Sequence, residues 1–253
     1  MKVTMIPKLF FVIPCFNEEE SIEHTADQLI AKCKALEDEG KISPESAILF
    51  VDDGSTDGTW SLIRELFEKH ECIKGISLKK NYGHQTALYA GLIEAKDRCD
   101  ITISLDADGQ HDLAAVDDML SAYATGNDIV CAVRSNSNAE SLPKRLTADI
   151  YYRILTRLGA GLIKGHSDYR LASSKAIEML EEMPKNALFL RGDFLKLPLK
   201  YSSVEYTCRK RTAGKSKYSV GKMAKLAMAG FVSNGFFGES TGKSINFEIL
   251  EWI

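Results

Sequence analysis

No apolar run in this 253-residue chain approaches the roughly eighteen residues that a membrane-spanning helix needs, so the chain as given is not expected to cross a bilayer. Its first residues, Met1-Lys-Val-Thr-Met-Ile-Pro7, carry no long apolar signal core and no small-residue cleavage site. Six cysteines stand at 15, 33, 72, 99, 131 and 208, and none forms a Cys-x-x-Cys pair. Most lie in apolar or helical surroundings, so free thiols in a reducing cytosol are the expected state. The chain also lacks net basic charge: its formal charge is −3, which excludes a nucleic-acid binder as a whole and leaves room only for a local basic patch. Two nucleotide-binding signatures are missing as well. No Gly-x-Gly-x-x-Gly follows the first apolar run, and no Gly-x-x-x-x-Gly-Lys-Ser/Thr occurs anywhere. A dinucleotide held in the usual mode and a triphosphate in a P-loop are thereby excluded.

What is present is ordinary globular material, 45% hydrophobic and 26% charged, enough for one large core. Leu9-Phe-Phe-Val-Ile13, Ser46 to Val51, Cys72 to Leu78, Ile101 to Leu105 and Asp128 to Val133 are short apolar runs, each predicting a buried strand. Helices are predicted between them: from Asn17, which can cap the first, to about Leu36; Thr59 to His70; Gln85 to Lys96; and Asp112 to Thr125. Strands alternating with helices of ten to sixteen residues predict an α/β fold with a mainly parallel sheet. Further on, Pro143 to about Leu162 reads as a basic helix, His166 to Leu171 as a polar turn, and Ser174 to Met183 as a helix. Leu188 to Lys196 and Leu199 to Cys208 are possible strands. Residues 1–210 are read as one domain.

The chemistry concentrates at strand ends. Asp106-Ala-Asp108 closes the fourth strand, and alternation along a strand puts both carboxylates on one side. Two such groups repel unless a cation sits between them, and oxygen-only ligands favour Mg²⁺ or Mn²⁺, with Gln110 as a third oxygen. By itself an Asp-x-Asp pair is more often a solvated turn. Here two other strands also end in short polar signatures, Pro14-Cys-Phe-Asn17-Glu18 and Asp52-Asp53-Gly-Ser. In open α/β sheets ligands collect outside the carboxyl ends of the strands. Asp52 and Asp53 suit a nucleobase or ribose, and a nucleoside diphosphate bridged to Asp108 by a metal fits what remains. Near the end, Arg209 to Ser219 carries five cations and no acid. Val220 to Phe237 is amphipathic to strongly apolar, suited to a membrane surface, a partner, or the domain's own core. Gly238 to Ile253 shows no clear pattern.

Phe11-Val-Ile-Pro-Cys-Phe-Asn17-Glu18-Glu19, Val51 to Thr59 and Asp106-Ala-Asp108-Gly-Gln110-His111 resemble the successive motifs of family 2 glycosyltransferases, which have the GT-A fold. Leu190-Arg-Gly192 and Arg211-Thr-Ala-Gly214-Lys-Ser216-Lys217-Tyr218 are similar to the polyprenyl-phosphate branch, dolichyl-phosphate mannose synthases and undecaprenyl-phosphate (bactoprenol) glucosyltransferases. The resemblance covers about residues 8–230. It implies Pro14, Asn17, Glu18, Asp52 and Asp53 around the nucleoside, and Asp106, Asp108 and Gln110 at the metal and diphosphate. Arg134 and Arg145 are implied near an acceptor phosphate, Asp168 and Arg170 beside the sugar, and Arg211 and Lys217 as a phosphate clamp. The implied enzyme is a metal-dependent, inverting hexosyltransferase from a nucleotide sugar, UDP-glucose favoured, to a polyprenyl phosphate.

Its expected partners are donor, lipid acceptor, a membrane surface met by residues 209–237 and further copies of itself in a homo-oligomer, with no nucleic acid. Its expected location is cytoplasmic, peripheral at the inner face of the plasma membrane. Residues 211–253 are then a basic loop, an amphipathic helix and an irregular tail, whereas bacterial members of this branch commonly continue into spanning helices. Two other readings remain open at this point: a family 2 enzyme acting on a saccharide or protein hydroxyl, and a nucleotide-sugar-binding module without activity. The Gln-x-x-Arg-Trp motif of processive synthases is absent, since tryptophan occurs only at 60 and 252.

Overall fold

Leu9-Phe-Phe-Val-Ile13 has no polar position to turn towards water, so it is stable only with both faces covered. In the computed structural model, which describes residues 6–135, 163, 165–184, 188–207 and 245–253, this run is β1 (Leu9–Cys15), buried throughout. It is followed by α1 (Ile22–Asp38), β2 (Ala47–Asp52), α2 (Thr59–Lys69), β3 (Ile73–Leu78), α3 (His84–Ala95), β4 (Ile101–Ser104), α4 (Ala115–Ala124) and β5 (Ile129–Arg134). Then come β6 (His166–Ser173), α5 (Ser174–Glu182), α6 (Leu190–Lys196), β7 (Tyr201–Tyr206) and β8 (Ile249–Trp252).

One eight-stranded sheet has the order β7-β5-β6-β4-β1-β2-β3-β8. The pairs β1–β2, β1–β4, β2–β3 and β5–β7 are parallel; β3–β8, β4–β6 and β5–β6 are antiparallel. The chain therefore builds outwards from β1 through β2 and β3, then returns through α3 to place β4 on the other side of β1. That reversal opens a crevice at the carboxyl ends of β1 and β4. Strand alternation feeds two cores. Phe11, Ile13, Ile48 and Phe50 pack on one face with residues of α1, α2 and α4. Phe10, Val12, Leu49 and Val51 pack on the other with residues of α3, α5 and α6.

Several expectations are corrected. Asn17 does not cap α1, which starts at Ile22. Asn17 sits at φ 54, a region Asn tolerates better than most residues. Its Oδ1 accepts the Thr56 N–H at 2.8 Å and its own N–H donates to Ser55 Oγ at 2.9 Å, so the side chain ties the β1 tip to the β2 tip. His166 to Leu171 is no turn but the interior of β6, every residue buried. Its polar side chains satisfy one another and α6, which a one-dimensional pattern does not reveal. Leu188 to Lys196 contributes the short helix α6, not a strand. The patternless end of the chain contains β8, an edge strand on β3 whose Glu251 accepts from Trp60 Nε1 at 3.1 Å. The helix predicted over 143–162 and the amphipathic segment 220–237 lie outside the described residues.

α3 is buried nearly all round and approaches the sheet closely at Gly91. A Cβ there would lie 2.6 Å from both Val12 Cγ1 and Val51 Cγ2. In an open helix Gly→Ala is worth about 1 kcal/mol in favour of alanine. Here overpacking against two β-branched side chains opposes it. Gly91→Ala is expected to lower the urea-denaturation free energy by about 1–3 kcal/mol, and an increase would contradict this packing.

Candidate active site

The sheet's geometry gathers polar strand ends on one rim. β1, β2, β3, β4 and β5 all finish there, and β6, running antiparallel to β4, begins there. Residues Asn17–Glu18, Asp52–Asp53, Asp106–Asp108, Arg134 and His166–Asp168 thus meet on one edge.

At the β1 and β2 tips most of the polar groups already serve the protein. Pro14 is buried in register with Val51. Glu18 accepts the Ser21 hydroxyl at 2.8 Å, and its N–H donates to Thr59 Oγ1 at 2.8 Å. Asp52 is 2% exposed and accepts from Ser55 N–H at 3.2 Å and Ser77 Oγ at 3.2 Å. Burial raises its pKa against those hydrogen bonds. Asp53, also 2% exposed, accepts the Tyr82 N–H at 2.7 Å and the Gly83 N–H at 2.9 Å. Asp53 therefore fixes the loop that leads into α3. Gly54 makes the close approach possible: at φ +65, a Cβ would stand 2.4 Å from the Lys80 carbonyl carbon. Burial pushes the Asp53 carboxyl up to about 6, with Asp52 adding to it and the two N–H donors opposing.

At the β4 tip, Asp106 is one-third exposed and lies between two imidazoles. His84 Nε2 is 3.6 Å from Oδ1 and His111 Nε2 is 3.9 Å from Oδ2. Asp108 Oδ1 accepts the Gln110 N–H at 3.1 Å, which closes the turn. His111 is 4% exposed, and neither ring nitrogen has a hydrogen-bond partner among the described residues. It packs edge-on against Tyr169, centroids 4.8 Å apart, and lies tilted over Tyr206 at 5.7 Å. Burial lowers its pKa despite the nearby carboxylates, keeping the ring neutral. Burial also works against charge on His84, but Asp168 and Asp106 outweigh it and raise its pKa. Among the described residues no three His, Cys, Asp or Glu side chains form a ready cage. Asp106 and Asp108 therefore suit a hard cation that takes its remaining ligands from a substrate and water, as Mg²⁺ and Mn²⁺ do, and not a closed structural zinc site.

Asp168 completes the rim. Its side chain is 4% exposed, and its two oxygens take Arg191 Nε at 3.2 Å and Nη2 at 2.9 Å. Gln85 Nε2 donates at 3.2 Å, and His84 Nε2 lies 3.5 Å away. Burial alone would raise this carboxyl, but the Arg191 and His84 charges hold it well below the usual range. Arg170 is not on the rim. It is fully buried below Asp168, donates Nη2 to His166 Nε2 at 2.7 Å and Nη1 to the Leu190 carbonyl at 3.4 Å, and stacks on Phe194 at 4.5 Å. Arg134 donates Nε to Tyr206 Oη at 3.0 Å, at the rim end of β5. Arg145, Arg211 and Lys217 lie outside the described residues.

Four site residues were not singled out from sequence: His84, Gln85, His111 and Arg191. Leu-Arg-Gly stands out as a motif, but only the fold shows that α3 and α6 begin side by side at Asp168.

The raised pKa of Asp53 has a signed consequence. Between about pH 6 and the unfolded value of 3.8, the folded state holds a proton that the unfolded state lacks. The stability contribution of Asp53 therefore increases as pH falls from 7.5 to 4.5, by about 2 kcal/mol relative to Asp53→Asn. Urea denaturation of both proteins at the two pH values checks this; an unchanged difference would contradict it.

Comparison with known proteins identifies the family. The sequence profile described as "Glycosyl transferase family 2" matches residues 10–197. A Bacillus subtilis (strain 168) protein named "Uncharacterized glycosyltransferase YkoT" is 42% identical over 227 residues, 90% of this chain and 67% of that protein. The "Bactoprenol glucosyl transferase" of Shigella phage SfV is 31% identical over 232 residues, 91% of this chain and 73% of that protein. The chain thus spans about two thirds to three quarters of the length of these relatives. Among solved structures, the mannosyltransferase PcManGT from Pyrobaculum calidifontis, in complex with GDP-Man and Mn²⁺, superposes with a TM-score of 0.63 at 18% identity. The superposition covers 94% of this chain and 66% of that one, which shows a shared GT-A fold. With three-quarters of its length matched by the profile and close relatives over nine-tenths of it, the chain belongs to glycosyl transferase family 2.

Proposed function

We propose that the protein transfers a hexose, glucose favoured, from a nucleotide sugar, UDP favoured, to a polyprenyl phosphate such as undecaprenyl phosphate, with inversion at the anomeric carbon. The observation that carries this reading is the convergence of Asp106, Asp108 and Asp168 on the crevice beside β1, with His84 between two of them. The bactoprenol relative supports the lipid acceptor, and the Mn²⁺ and GDP-Man of the mannosyltransferase support a metal and a nucleotide sugar.

Asp106 and Asp108, with Gln110, are the residues that would hold Mg²⁺ or Mn²⁺. That ion, when bound, neutralises the donor diphosphate and stabilises it as it leaves. Asn17, Glu18 and the loop held by Asp53 border the nucleoside side of the crevice. The acceptor phosphate needs no strong base, because its second pKa is about 6 and its oxygen is already ionised near neutral pH. That oxygen forms the new bond to the anomeric carbon while the bond to the diphosphate breaks, the electron pair leaving with the nucleotide. Asp168, tied to Arg191 and Gln85, serves as a fixed acceptor for sugar hydroxyls rather than as a base. By the family resemblance, Arg145, Arg211 and Lys217, which lie outside the described residues, would meet an acceptor phosphate at an anionic surface, each cation contributing on the order of 1 kcal/mol. That contact would hold the protein peripherally at the cytoplasmic face of the membrane.

A donor panel of UDP-glucose and GDP-mannose, with undecaprenyl phosphate and Mn²⁺ or Mg²⁺, tests the reading. A glycolipid product resolved by chromatography is expected, and transfer only to saccharide or peptide hydroxyls would overturn the acceptor. In the same assay Asp108→Ala is expected to abolish transfer and Asp168→Asn to leave a measurable fraction. Equal, complete loss in both would make Asp168 a base. Sedimentation with anionic and neutral liposomes tests the surface: binding that needs the anionic lipid is expected, and no binding to either removes the membrane claim.

A further inference from the structure

Three elements meet at one carboxylate. α3 brings Gln85, β6 brings Asp168 and α6 brings Leu190 and Arg191. The Gln85 amide is read without ambiguity. A backbone N–H can only donate, so the atom 3.0 Å from the Leu190 N–H is the amide oxygen. Its NH₂ is then turned to Asp168, which as a carboxylate has acceptors only. Arg191 approaches the same carboxylate through two of its nitrogens, a fork that fixes the plane of the carboxylate as well as its charge. The Asp168 main chain is pinned too, its carbonyl taking the Ser104 hydroxyl at 2.5 Å.

We infer that Arg191 and Gln85 are positioning residues, which hold the Asp168 carboxylate ionised and aimed across the crevice and lock the start of α6 to it. The inference rests on the proposed role of Asp168 in binding the sugar. It assigns the reason for that role to two residues on neighbouring helices. Among the described residues, the groups facing Asp168 are Arg191 from α6, His84 and Gln85 from α3, and His166 and Arg170 from its own strand, with Asp106 of the β4 tip beyond His84. Of these, Arg191 alone pairs with both carboxylate oxygens, so its removal is felt most. Lysine can supply the charge but not the fork.

The test compares wild type with Arg191→Gln, Arg191→Lys and Gln85→Leu in two measurements. The first needs no substrate: carboxyl-carbon NMR follows the Asp168 resonance between pH 3 and 8. The Asp168 pKa is expected to rise clearly in Arg191→Gln and to stay low in Arg191→Lys. An unchanged titration in Arg191→Gln overturns the inference, whatever the reaction proves to be. The second measures kcat and KM on whichever donor of the panel the wild type uses. A misplaced carboxylate is expected to lower kcat by about a hundredfold in Arg191→Gln and less in Arg191→Lys. A new loss of rate on the acid side should appear only in Arg191→Gln, and Gln85→Leu should lower kcat without that acid limb. Unchanged kcat in Arg191→Gln and Gln85→Leu would overturn the positioning role. Absence of any turnover by the wild type would strike the proposed function, leaving the titration to decide this inference.

Discussion

Asp52, Asp53, Asp106, Asp108 and Asp168 crowd one edge of this sheet, and their mutual repulsion is the constraint that the surrounding structure answers. Each is answered differently. Asp52 is buried against two hydroxyl-bearing serines, and Asp53 spends its oxygens on two backbone N–H groups. Asp168 has a forked arginine. Asp106 stands at the crevice between two imidazoles, one drawn between Asp106 and Asp168 and a second, neutral one at its back. The β4 tip is where we propose that a divalent cation and its diphosphate partner bind.

The same constraint explains why so many elements converge here. A carboxylate rim cannot sit on a flexible frame, because a small displacement would leave a charge buried and unpaired. β1 and β2 are therefore cross-tied by Asn17, the loop before α3 is held by Asp53, and α3 lies so close to the sheet that only glycine fits at position 91. β8 seals the far edge of β3, with Trp60 and Glu251 joined across it. Arg170, deep below Asp168, shares a face of β6 with it and stacks on α6, carrying the rim's support into the core.

Much of this was legible in the sequence. The apolar runs that became β1, β2, β3, β4 and β5 announce themselves because they are buried on both faces, and the acidic tips follow from them. The rule that ligands gather at carboxyl ends of parallel strands found Asp53 and Asp108. It gave no place to the antiparallel β6, which reaches the rim with its amino end. His166 to Arg170 looks like a turn because its polar groups are partnered by residues far away in sequence, Arg191 among them. His84, Gln85 and His111 were invisible as site residues for the same reason: nothing local in their surroundings states what they face. β8 is too short, and its mix of Ile, Leu, Glu and Trp too ambiguous, to be recognised without β3 beside it.

The central claim is that Asp106 and Asp108 complete their charge balance with a divalent cation and a nucleoside diphosphate together. Calorimetric titration of UDP and of GDP into the protein, with and without Mn²⁺, addresses it directly. The account predicts that Mn²⁺ tightens binding of the preferred nucleotide by at least about tenfold, some 1.4 kcal/mol, in the wild type and leaves it unchanged in Asp108→Ala. Nucleotide binding of equal strength with and without the metal in the wild type would contradict it.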